Sequence, residues 1–149
     1  MLSISLVLDY IINYYFYLYP CFFISLLVTI IYFFNNKKTF VFILLLGILY
    51  DLLFSNILFL YLNTFFLLYF FVLFIKDKIN SSYFSYLLTL ILSIVFFYII
   101  LFFLLFIINV VSMDIFSLFN YILNKLVCSI LISFLYYYIF NKLANSVYF

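Results

Sequence analysis

From Tyr83 to Ile108 the chain runs for 26 residues without a single charged side chain. As a helix rising about 1.5 Å per residue this stretch measures about 39 Å, longer than the roughly 30 Å hydrocarbon core of a bilayer, so a membrane-crossing helix here tilts or protrudes. The remainder has the same character: of 149 residues, 73% are hydrophobic, 28% aromatic and 7% charged. Soluble domains carry about 25% charged residues, so the composition predicts an integral membrane protein. One span takes about 20 residues, which allows at most about seven crossings and leaves no room for a separate soluble domain.

Sparse polar residues divide the chain into runs. Residues 2–17, apolar except for Asp9, Asn13 and two serines, read as a short first span before Pro20. Lacking a basic n-region and an A-x-A site, this segment is expected to be a retained helix rather than a removable signal peptide. A second run, 21–34, is closed by Asn35-Asn36-Lys37-Lys38, read as a loop. The third, 39–54, contains Gly47 and Asp51 and turns tightly through Ser55-Asn56 into the fourth, 57–75. A polar loop (76–82), the long run 83–108, a connection containing Asp114 and a last run, 118–140, complete the pattern. The expectation is an all-α, polytopic protein: one transmembrane domain over residues 1–149 with about six helices. Lys37, Lys38, Lys76, Lys78 and Lys142 then share one face, which the positive-inside rule makes cytoplasmic together with both termini. A five-span alternative that merges the first two runs stays open, because the separation rests on Pro20 and on segment length.

Composition also removes chemistries. His, Trp, Arg and Glu are absent, so there are no imidazole bases, His metal sites or bidentate Arg clamps. Cys21 and Cys128 lack CxxC spacing and read as small hydrophobes. No basic run follows a phosphate backbone, so nucleic acid is not an expected partner. Nothing pairs a nucleophile with a base, and no Gly-rich turn can cradle phosphate, so neither an enzyme nor a cofactor is expected. Phe, Ile and Tyr are abundant beside Leu while Gly, Ala, Pro and Arg nearly vanish, as AT-rich codon usage would produce, so aromatic content alone carries no functional weight.

Three charges fall within apolar runs. Asp9 and Lys125 lie about 10 Å, and Asp51 about 6 Å, from the nearer end of their segments. A charge at the bilayer centre costs about 2.5–3.5 kcal/mol on insertion scales, which drives it toward a protein interior, a partner or the interface. Similar depths make Asp51 and Lys125 a candidate intramembrane ion pair; the alternative is that Lys125 snorkels outward and Asp51 sits in an interfacial turn. Asn63, Thr64, Thr89 and Asn124 either line a small pocket or bond between helices.

The segment Gly47-Ile48-Leu49-Tyr50-Asp51, followed by a short turn and another apolar run, resembles the central signature of the MreD family of bacterial rod-shape-determining proteins. Gly47 and Asp51 match its Gly-x-x-x-Asp pair; Phe59 stands where relatives commonly carry a Gly after the turn, while Leu58 and Tyr61 fit. Asp114-Ile115-Phe116 leading into Asn120 through Lys125 agrees more loosely. Four residues apart on a helix, Gly47 and Asp51 share a face, which suits helix packing or partner docking; chance placement is the alternative. The resemblance implies a non-enzymatic subunit of the cell-elongation machinery in the bacterial plasma membrane. It would bind MreC, act with MreB, RodA and its penicillin-binding transpeptidase, and support peptidoglycan synthesis. It also implies a fold similar to the substrate-binding subunits of energy-coupling-factor vitamin transporters, which supplies the second functional reading. A purely structural or lipid-organising role is the third.

Overall fold

The computed structural model describes residues 21–34, 36–54, 59–79, 82–108 and 115–147. The expected first span, with Asp9, Asn13 and Pro20, and the connections carrying Ser55-Asn56 and Asp114 lie outside the described residues, as do the side chains of both cysteines. Every regular element among the described residues is an α-helix: α1 (Cys21–Phe33), α2 (Lys37–Phe54), α3 (Leu60–Lys76), α4 (Tyr83–Ile107) and α5 (Ile115–Val147). Tyr83–Ile107 and Leu118–Ala144 are long and apolar enough to cross a membrane, while Phe23–Phe33 and Leu60–Lys76 are shorter apolar helices.

Helix α1 packs against each of the other four. Thirteen residues long, it is apolar on nearly every side, and a helix with no polar face is stable only when surrounded. Phe23, Ile24, Leu27, Val28 and Ile31 are accordingly buried in the core. Around this peg, α2 packs on α3, α3 on α4, and α4 on α5, with α5 closing against α1. One end of the bundle is an aromatic cluster in which Phe33 meets Tyr137 and Phe140, while Tyr86 contacts Tyr32 and Tyr137. At the other, Phe23 stacks on Tyr50 at 5.1 Å between ring centroids, and Phe65 lies between Tyr50 and Phe97.

Two boundaries differ from the sequence expectation. Lys37 and Lys38 form the first turn of α2 instead of a loop, with the Phe40 N–H donating to the Asn36 carbonyl at 3.2 Å. Helix α5 extends past residue 140 to Val147. Both errors share a cause. In both places good helix formers (Lys, Leu, Ala) are present and neither Gly nor Pro intervenes, so polarity there marks contact with water while the helix continues.

Candidate functional site

The densest convergence of unusual residues is at the α2–α3 junction. Gly47 lies on the face of α2 turned toward α3, where a Cβ would stand 2.8 Å from the Leu62 Cα and 3.3 Å from its backbone nitrogen. Real Cβ atoms do not approach backbone that closely, so only glycine lets the two helices meet here. One turn further along the same face is Asp51, only 3% exposed. Its carboxylate accepts hydrogen bonds from the backbone N–H groups of Tyr61, at 2.7 Å, and Leu62, at 3.1 Å. These amides belong to the first turn of α3, which have no partner within their own helix. Gly47 and Asp51 thus meet the same residue, Leu62, one through backbone contact and the other through a hydrogen bond.

Helix α3 needs this outside help. Its N-cap residue is Phe59, which makes no side-chain cap bond and adopts the left-handed conformation with φ 69° and ψ 9°. Phe59 is the one non-glycine residue with positive φ among those described, and such a conformation costs a residue with a Cβ about 1–2 kcal/mol. Asp51 supplies the acceptor that a Ser, Thr or Asn N-cap would offer, and places its negative charge at the positive end of the helix dipole. That arrangement explains how a carboxylate is accommodated inside so apolar a bundle. Nearby, the Tyr50 and Tyr61 rings meet edge to face at 4.8 Å, and the Thr64 hydroxyl donates to the Tyr61 carbonyl at 2.9 Å.

Lys125 is also buried, at 2% exposure. It stands on α5, which packs against α1 and α4, whereas Asp51 stands on α2, which packs chiefly on α3. Helix α1 packs against both α2 and α5. The Lys125 carbonyl accepts from the Ser129 hydroxyl at 2.9 Å. The amides and hydroxyls singled out in the sequence divide by chemistry: Thr64 and Thr89 are buried, while Asn63 and Asn124 are exposed on the outer surface. The Asn side chains therefore do not line an internal pocket.

Sequence reasoning missed a hydroxyl seam between α1 and α4. The Thr29 hydroxyl donates to the Ser25 carbonyl at 2.7 Å and lies 2.8 Å from the Tyr86 hydroxyl; the Thr89 hydroxyl donates to the Ser85 carbonyl at 2.8 Å. The Tyr32 and Ser85 hydroxyls are 3.5 Å apart. Four-residue spacing was the available signal, repeated in Ser25 and Thr29, in Ser85, Thr89 and Ser93, and in Lys125, Ser129 and Ser133, all of them buried. Small hydroxyl residues at that interval let helices approach and bond across the contact. Ser93 is the exception in satisfaction, since its buried hydroxyl has no hydrogen-bond partner among the described residues.

The five outer lysines gather at the other end of the bundle from Asp51. Phe40, near the start of α2, contacts Tyr69 and Phe70 toward the end of α3, and Tyr83, at the start of α4, contacts Tyr137 toward the end of α5. Lys37, Lys38, Lys76, Lys78 and Lys142 flank these rings in the chain. The Lys76 ammonium sits 5.5 Å from the Tyr32 ring centroid and that of Lys78 4.0 Å from Phe74, so both side chains lie over aromatic faces. Among the described residues no group of three or more Cys, Asp, Glu or His side chains is placed to hold a metal ion. No protein-family model, curated protein or solved structure matches this chain.

Proposed function

We propose that this chain is a non-enzymatic, multi-pass subunit of the bacterial plasma membrane, similar to the MreD family, which binds an MreC-like partner and supports wall synthesis by the elongation machinery. The α2–α3 junction carries the proposal. The pair on which the resemblance rests, Gly47 and Asp51, is the pair that joins these two helices. Phe59, at the position where relatives commonly have Gly, has the backbone conformation that Gly adopts without strain. A motif that builds a rigid hairpin is suited to present a fixed helical surface to a partner. Membrane topology has separate support: the five lysines lie at one end of the bundle, where the positive-inside rule puts the cytoplasm, and both termini are read as cytoplasmic.

Capture of the tagged chain from detergent-solubilised membranes tests the reading. Recovery of an MreC-like protein, lost when Gly47 and Asp51 are both replaced by leucine, is the expected result. Recovery of a pair of ATPases instead would turn the assignment to a transporter substrate-binding subunit. Normal cell outline and normal assembly of the wall-building complex with both leucines in place would remove the junction from any role in shape.

A further inference from the structure

We propose that the start of α2 is a binding site for one anionic phospholipid, with its headgroup phosphate between Lys37 and Lys38 and an acyl chain along the outer face of the helix. The site is a shallow, open depression of about 380 Å³ on one face of α2, lined by Lys37, Lys38, Val41, Phe42 and Leu45. Both lysines are exposed, and the first turn of α2 contains no acidic residue. They stand at the helix end where the backbone dipole is already positive, so charge accumulates instead of cancelling. The whole end of the bundle carries five lysines against Asp77, a balance of 5 − 1 = +4 over the described residues.

Charge alone would suit any small anion; the lining selects a lipid. Below the lysines, Val41, Phe42, Leu45, Leu49 and Leu52 are all exposed. Their spacing puts them on one stripe of α2, turned away from the Gly47 and Asp51 face. From Lys38 to Leu52 that stripe rises about 21 Å, more than the roughly 15 Å hydrocarbon depth of one leaflet. A phosphate without tails covers only the top of the depression, whereas a phospholipid covers both its charged head and its apolar length. Zwitterionic lipids bring their own cation and gain less from the lysines, so the site discriminates by headgroup charge. The inference rests on the membrane reading given above but not on the MreC-like partner, so either can fail while the other stands.

Native mass spectrometry of the purified full chain in detergent, titrated with phosphatidylglycerol or with phosphatidylcholine of identical acyl chains, tests it. Phosphatidylglycerol is expected to bind about tenfold or more tightly, and Lys37→Gln with Lys38→Gln to reduce it to the level of phosphatidylcholine. A control pair, Lys78→Gln with Lys142→Gln, removes the same charge outside the depression and should change binding by less than about twofold. Glycerol phosphate, which has no tails, should not compete. Equal binding of the two lipids, equal loss in both double variants, or full displacement by glycerol phosphate would each overturn the proposal. Circular dichroism of the variants checks that the helices persist, as expected for substitutions at exposed side chains.

Discussion

Helix α4 is capped by a residue beside it in the chain, whereas α3 is capped from another helix. Ser82, extended at φ −134° and ψ 165°, accepts a hydrogen bond from the Ser85 N–H at 3.2 Å. Phe59 offers α3 nothing comparable, and Asp51 reaches across from α2 to hold two amides. The local cap stabilises one turn of one helix. The remote cap stabilises a turn and ties two helices together, so its removal is felt at the α2–α3 contact as well as at the end of α3. A single carboxylate thus does work usually divided between an N-cap and a helix–helix contact.

Substitutions can break this contrast in order of expected size. Asp51→Ala removes two charge-assisted hydrogen bonds and leaves buried amides unsatisfied, a loss of about 3 kcal/mol in reversible unfolding in detergent, with Asp51→Asn keeping part of it. If Asp51→Ala were no worse than Ser82→Ala, the carboxylate would be an ordinary cap and the contrast would vanish. Gly47→Leu forces α2 and α3 apart and should lose about 2 kcal/mol, read both by unfolding and by reduced cross-linking between cysteines engineered on the two helices. Ser82→Ala should lose about 1 kcal/mol and leave α2–α3 cross-linking unchanged. Phe59→Gly acts in the opposite direction. Because the side chain is 61% exposed, little packing is lost, and relief of the left-handed backbone should stabilise the protein by somewhat under 1 kcal/mol after the flexibility of glycine is offset.

The same contrast explains what could be read from the sequence. A shared face for Gly47 and Asp51 follows from helical geometry, and the start of α4 follows from the polar loop that ends at Ser82. What they meet does not follow, because the approach of Leu62 to Gly47 goes with the left-handed conformation of Phe59, to which no local pattern points. Polarity misleads at the helix ends: Lys37 and Lys38 look like a loop and the apolar run stops at 140, although helix continues through both places. Which way Asn63 and Asn124 face was equally hidden. The largely apolar residues around each of them give little contrast between inner and outer sides. The buried hydroxyls were more legible in principle, since Ser85, Thr89 and Ser93 repeat at intervals that put them on one face.

The amides that Asp51 holds follow it by only 10 and 11 residues. A ribosome adding about 5–20 residues per second supplies both within roughly two seconds of the aspartate, long before α5 exists. Until then the carboxylate has neither amide, and hydrocarbon is a costly place for it to wait. On the multi-pass reading proposed above, biosynthesis favours delivery of α2 and α3 to the bilayer as a closed pair. Nascent chains arrested with residue 76 released from the translocon should integrate more fully than those arrested at residue 57, a difference that Asp51→Leu should erase.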